Sequence, residues 1–342
     1  MFEPRNLEKG DTFMRLKALF TIVVIFSLGS VVGAQTEPDE VLRTSTNLVN
    51  VLFSAVDKQD RYITILNESD VRVYEDGLEQ KILTFENSKS SALSVAILID
   101  VSGSQSNILT EEKDAVRLFT KMVANSHDDR IALVSFAGDP YLEQSLTNRS
   151  VDIEPVLDRI KKIGIQYQGL GTLLPVGAKP AKGSLIYTSA IWDAVWLTCK
   201  GILPKPGGKR RNVLVIVTDG EDTSSRATLD DAISRAVESD AVVYAIGVGD
   251  TTLTDGVNRK TLRRLANETG GRFFQPKTIE DLNSSFAGIE QDLRSQYVIT
   301  YKPMEKDSSS FRQVRLEITN NAVKKLVRTI TYRRGYYFGG SQ

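Results

Sequence analysis

Between Val95 and Phe274 the chain alternates two hydropathy patterns, and this alternation restricts the possible folds more than any other feature. Continuous apolar runs stand at Val95–Ile99, Ile131–Phe136, Val213–Val217 and Ala241–Gly247. Segments of helical length and period separate or follow them, at Leu109–Val123, Ser189–Cys199, Leu229–Glu238 and Arg259–Asn267. Unbroken apolar runs suit strands covered on both faces, as in a parallel sheet, because a strand with one wet face reads as strict alternation. Strand–helix alternation therefore predicts an open parallel α/β sheet, in which ligands bind beyond the carboxyl ends of the strands. Ile279–Leu293 reads as the closing helix, and Asn107 and Thr228 as caps of the helices that follow them.

The flanks have a different period. Residues 48–56 and 71–85 are strand-like, the second carrying Asp76-Gly77 as a hairpin turn. After residue 296 the stretches QYVITYK, FRQVRLEIT and VRTITYR alternate with period two, and Asn320-Asn321 makes a second turn. About three strands per flank are marginal for a sheet that stands alone. The two flanks are expected to pair into one small β-sandwich, with the α/β part inserted between roughly residues 92 and 295. A length of 342 residues suits such a two-part chain.

Residues 18–32 form an apolar run of 15, short for a membrane span of about 20. Arg15 and Lys17 precede it, and Val32-Gly33-Ala34 places small residues where a signal peptidase cuts. Residues 1–34 are read as a secretory signal peptide, with Met14 as a natural start and an uncleaved anchor as the alternative. No Cys follows the run, so no lipoprotein anchor is expected. A secreted, periplasmic or envelope location follows. Composition (41% hydrophobic, 25% charged) is that of a folded chain. Lys+Arg and Asp+Glu are 43 each, which removes the cationic field that nucleic acid needs. A single Cys, Cys199, excludes an internal disulfide framework and multi-Cys metal sites, and it sits in the apolar stretch Ala194–Leu203 as a core thiol. A single His, His127, excludes multi-His metal sites.

The chemistry-bearing residues stand at the predicted strand ends. The run ILID ends in Asp100-Val101-Ser102-Gly103-Ser104, three oxygen side chains at alternate positions of a turning loop. The run VLVIVT ends in Asp219-Gly220, and Thr188-Ser189 precede a helix containing Asp193. The set is all oxygen with few carboxylates, which is hard-cation chemistry for Mg²⁺, Mn²⁺ or Ca²⁺ rather than zinc. Neutral hydroxyls leave such an ion under-neutralised and open to an external anion. The structural alternative is that Ser102, Ser104 and Asp219 only cap helices.

DxSxS at one strand end, a hydroxyl before an Ile-Trp-Asp-Ala helix start, and TDG at a later strand end together resemble the metal-ion-dependent adhesion site of von Willebrand factor type A domains. Asp70–Gly77 followed by Gln80 and Phe85, Tyr297–Pro303, and Arg334-Gly335-Tyr336-Tyr337 resemble the exported bacterial "VWFA-related" branch of that family. The resemblance covers nearly all of the chain after residue 34. It implies a doubly wound, Rossmann-like sheet at 92–295 between sandwich halves at 35–91 and 296–342. It implies that Ser102 and Ser104 bind the metal directly and that Asp100 and Asp219 hold it, often through water. The family's usual Thr, four residues before the helix Asp, is Ser189 here, so Ser189 takes the third hydroxyl place with Thr188 in reserve. The function implied is a non-enzymatic adhesion or assembly module. Its partner would be a protein presenting an Asp or Glu, and the module itself a monomer.

A second class shares these strand ends. A haloacid-dehalogenase-like phosphatase would use Asp100 as nucleophile, Thr218 as hydroxyl and Asp250 as a late metal ligand. Residue 102 is then Ser where an acid would protonate the leaving group, and no cap domain is evident. A third reading is a metal-free domain acting as a scaffold. No P-loop and no GxGxxG after a strand is present. Lys205–Arg211 reads as a solvated basic turn at the edge of the sheet far from the metal. The excess of nine Lys and Arg over three acids after Tyr297 reads as outward strand faces, with contact to an anionic envelope polymer as the alternative. N-x-S/T triplets at Asn67, Asn148, Asn267 and Asn283 matter only in a glycosylating host. The Gly-rich stretch 164–187 is either a functional loop or a tolerated insertion.

Overall fold

The computed structural model describes residues 48–105, 108–124, 128–160, 172–173, 189–206, 210–249, 256–303 and 311–337. The signal-peptide reading, Asn107, His127, Thr188, Asp250 and nearly all of 164–187 lie outside the described residues. The first flank gives β1 (Val49–Asp57), β2 (Val71–Glu75), β3 (Leu78–Gln80) and β4 (Ile82–Asn87). The middle of the chain begins with β5 (Leu93–Asp100), α1 (Leu109–Val123), β6 (Arg130–Phe136), β7 (Pro140–Thr147), α2 (Glu154–Arg159) and β8 (Thr172–Leu173). It continues with α3 (Ile191–Gly201), β9 (Arg211–Thr218), α4 (Leu229–Glu238), β10 (Ala241–Gly247), α5 (Arg259–Thr269), β11 (Phe273–Phe274) and α6 (Ile279–Ser295). The last flank gives β12 (Tyr297–Tyr301), β13 (Phe311–Ile318), α7 (Asn321–Leu326), β14 (Val327–Tyr332) and β15 (Gly335–Tyr337).

The middle strands form one sheet in the order β11-β10-β9-β5-β6-β7-β8. The run from β11 to β6 is parallel, and β7 and β8 add antiparallel at one edge. Every residue of β5 and β10 is buried, which is why both strands read as unbroken apolar runs. Successive side chains go to opposite faces. Val95, Ile97 and Ile99 pack with Phe119 of α1 and Phe286 of α6, while Ala96 and Leu98 pack with Val195 of α3 and Leu262 and Leu265 of α5. Helices thus cover both faces, and each such buried Val, Ile, Leu or Phe side chain contributes about 1.5–3 kcal/mol. Thr228 caps α4 in a reciprocal capping box with Asp231. Cys199 is buried on α3, and burial pushes its thiol up to about 12.

Each of the other two sheets mixes both flanks. One runs β14-β1-β12-β4 and the other β15-β13-β2-β3. Val51 and Phe53 of β1, Val71 and Val73 of β2, Ile299 of β12 and Leu316 of β13 share one apolar core with the α3–α5 face of the central sheet. Asp76-Gly77, with φ of 48° and 84°, joins β2 to β3 as the expected hairpin turn, and β4 then leaves for the other sheet. The described structure corrects three expectations here. Asn320 does not make a tight turn. Its side chain caps the short α7, which carries the chain from β13 in one sheet to β14 in the other. Arg211 is no solvated turn residue: its guanidinium donates to Ser88 Oγ and the Leu293 carbonyl at 2.9 Å each, and to Gln296. The basic residues after Tyr297 do not all face outward, since Arg312 is fully buried and pairs with Glu75 at 2.7 Å.

Candidate metal centre

Asp100 ends β5 at the carboxyl edge of the sheet and is fully buried. Its Oδ1 accepts the Ser102 backbone N–H at 2.9 Å. Its Oδ2 accepts the Ser189 hydroxyl at 3.1 Å and the Thr218 hydroxyl at 2.7 Å. Residues from three separate segments therefore meet at one carboxylate: the loop after β5, the residue before α3 and the end of β9. The loop is shaped by its backbone. Val101 N–H bonds the Phe136 carbonyl at 2.8 Å, and Gln105 N–H bonds the Ser102 carbonyl at 3.0 Å to close the 3₁₀ turn Gly103–Gln105. Ser104 lies in that turn; Thr188 falls outside the described residues.

Asp219 follows β9 and is nearly buried. Its Oδ1 accepts the Glu221 N–H at 2.9 Å, and its carbonyl accepts Asn258 N–H at 2.7 Å. Gly220 beside it has φ of 81°, and an added Cβ would stand 2.7 Å from Leu262 Cγ, so both conformation and space require glycine. Ser189 is held by the same loop. Its N–H donates to Thr223 Oγ1 at 2.8 Å, and its carbonyl accepts Thr223 N–H at 2.9 Å. The start of α3 is capped from across the sequence: Asp222 Oδ1 accepts Ile191 N–H at 2.8 Å and Ser225 Oγ accepts Trp192 N–H at 3.0 Å. In return Asp193 accepts Ala227 N–H at 2.9 Å. This latch explains why α3 begins at Ile191 and leaves Ser189 free of the helix, facing Asp100.

Burial pushes the Asp100 carboxyl up to about 6; hydrogen bonds from Ser102 and Thr218 oppose the rise and the Asp219 charge adds to it. Glu112, fully buried on α1, is pushed well above the usual carboxylate range by burial first and then by Asp100 and Asp219. Among the described residues neither Glu112 carboxylate oxygen has a hydrogen-bond partner. The centre thus concentrates negative charge and hydroxyl oxygen in a dry place, which is the condition a divalent cation relieves. Among the described residues no group of three or more His, Cys, Asp or Glu is spaced to hold a metal. The two carboxylates with the surrounding hydroxyls are an all-oxygen donor set, the type that hard cations take.

Thr218, Asp222, Thr223 and Glu112 were not among the residues expected to build a cation centre. Thr218 directly precedes Asp219, so its place on the same strand end was a usable signal. Glu112 was visible as an acid in the apolar stripe Leu109, Ala115, Val116 and Phe119. The capping by Asp222 had no local signal, because its partners lie about thirty residues away.

The family model for the von Willebrand factor type A domain matches residues 94–288, more than half of the chain. The chain belongs to this family. No curated protein matches it. Among solved structures, the von Willebrand factor type A chain is similar to the conserved hypothetical protein BatB from Bacteroides thetaiotaomicron, at 19% identity over 59% of this chain and 97% of that one, with a TM-score of 0.44. It is similar to an aerotolerance-related membrane protein from Bacteroides fragilis, at 20% identity over 59% and 98% of the two chains, with a TM-score of 0.43. Proximal thread matrix protein 1 from the mussel byssus, in a structure with a zinc-occupied MIDAS motif, is 16% identical over 65% of this chain and 50% of that one, with a TM-score of 0.48.

Proposed function

We propose that this von Willebrand factor type A domain is a non-enzymatic binding module that captures a carboxylate of a protein partner through a divalent cation, outside the cytoplasm. The observation that carries the reading is the meeting of Ser102, Ser189 and Thr218 on the buried Asp100, beside Asp219. Ser102, Ser104 and Ser189 are the direct ligands in this reading, with Thr188 in reserve, and Asp100 and Asp219 hold the ion through water. A bound Mg²⁺, Mn²⁺ or Ca²⁺ supplies positive charge with an open coordination position for an Asp or Glu of the partner. Asp100 orients the Ser189 hydroxyl, Thr218 orients Asp100, and the α3 latch keeps Ser189 in place. Residues 1–34 are the export signal in this reading, and 35–91 and 296–342 the two sandwich halves around 92–295.

The phosphatase alternative is disfavoured by Asp100 and Ser102. The Asp100 side chain is fully buried, and residue 102 is Ser where an acid would protonate the leaving group. Calorimetric titration of the full chain with Mg²⁺, Mn²⁺ and Ca²⁺ tests the reading. Binding is expected in the wild type and lost in Asp100→Asn, and at 100 times its Kd the ion should stabilise the fold by about 2.7 kcal/mol. No binding of any of the three at millimolar concentration overturns it. Turnover of a generic phosphate ester, abolished in Asp100→Asn, would establish the phosphatase instead.

A further inference from the structure

The inward stripe of α1 is apolar at Leu109, Ala115, Val116 and Phe119, and these fill the core between helix and sheet. Glu112 belongs to the same stripe and is as completely buried as they are. Where a Leu would complete the core, the chain carries a carboxylate with no hydrogen-bond partner on either oxygen among the described residues. The position of this side chain is specific. α1 follows the loop that carries Ser102 and Ser104 and packs on β5, whose carboxyl end is Asp100, so its first helical turn stands toward the carboxyl edge of the sheet. Gln105, in the turn between the two, is also fully buried; its Nε2 reaches the Val248 carbonyl at 3.4 Å while its Oε1 has no partner. Glu111 Oε2, in the same turn as Glu112, also lacks a partner, so among the described residues three side chains with unpartnered acceptor oxygens fall between Gln105 and Glu112.

A helix N-terminus favours an acid, yet Glu111 in the same turn already serves that field from a less buried position. Nothing in core packing explains a buried acid with empty oxygens. After burial, the charge of Asp100 acts on it most, followed by those of Asp219 and of its chain neighbour Glu111.

We infer that Glu112 is a further acidic group of the cation site, standing behind the coordinating loop and holding the ion's coordination shell through water. The inference rests on the cation-site reading given above. Glu112 is a positioning residue here, because among the described residues no three acids are close enough to share a metal directly. Groups of this outer kind change metal affinity by about 10–100-fold when they are removed.

The test is calorimetric titration of the full chain with MgCl2, for the wild type, Glu112→Gln and Glu112→Asp, with thermal melting of each in EDTA. Glu112→Gln should weaken Mg²⁺ at least tenfold, while its Tm in EDTA stays equal to or above that of the wild type, since Gln keeps the shape and carries no ionisable group in the core. Glu112→Asp keeps the charge and should recover part of the affinity; it also decides the matter if Glu112→Gln does not fold. Equal Mg²⁺ affinity in the wild type and Glu112→Gln overturns the inference and leaves the cation site intact. So does a loss of affinity that only follows a lowered Tm in EDTA. A wild type that takes up no Mg²⁺ overturns the cation-site reading, and this inference with it.

Discussion

Asp100, Glu112 and Glu75 are all buried carboxyls, and the fold treats each differently. Asp100 receives a backbone N–H and two hydroxyls, while Glu112 receives nothing. Glu75, inside the sandwich, accepts Arg312 Nη1 at 2.7 Å, the Tyr301 hydroxyl at 2.8 Å and the Tyr336 hydroxyl at 2.7 Å. Buried pairs add little net stability, but breaking one strands a charge. Arg312→Met should therefore cost about 3–5 kcal/mol, and adding Glu75→Gln should restore much of that loss. Urea unfolding of the single and double variants checks this; a single variant as stable as the wild type would show that the two tyrosines satisfy Glu75 alone.

Among the elements, α3 depends most on a distant loop. Its first N–H groups are satisfied by Asp222 and Ser225 rather than by a preceding cap residue. Asp222→Ala should cost about 1–2 kcal/mol through lost capping. It should also weaken cation binding, because Ser189 hangs on the same loop through Thr223. Denaturant midpoints and Mg²⁺ titration measure the two effects, and lost stability with unchanged affinity would show that Ser189 is held without the latch. The long helices α1, α3, α4, α5 and α6 were legible from the apolar period, α4 at its full span because Thr228 and Asp231 form a local capping box, whereas the short α2 and α7 were not. The strand β7, between β6 and β8, was not legible: it is half-covered, and its Glu, Gln and Ser residues hide the strand pattern.

At the scale of the whole molecule, the two flanks are inseparable. β1 pairs with β12 on one side and β14 on the other, and β2 pairs with β13. Removing residues 46–87 would expose strand edges on β12, β13 and β14 at once, and open edges template association. Such a truncated chain should aggregate in size-exclusion chromatography. A monomeric truncated chain with the wild-type melting temperature would refute the pairing. Arg211 ties the central sheet to this assembly through Ser88, Leu293 and Gln296, and burial lowers its guanidinium to about 10.

The residues alone determined the parallel core, since strands buried on both faces must be apolar throughout, and they determined the family, since DxSxS and TDG carry their chemistry in short spacings. They also determined that both flanks form strands. Which sheet each flank strand joins was decided only in three dimensions, because period two specifies a face and not a neighbour. β4 parts from β3 after Lys81, and a capped helix stands where Asn320-Asn321 suggested a turn, for that reason. The centre divides along the same line. Asp100 and Asp219 are readable from the strand ends that carry them. The hydroxyl of Thr218, the latch of Asp222 and the unpartnered carboxylate of Glu112 depend on which segments fold against one another, and tertiary packing alone sets that.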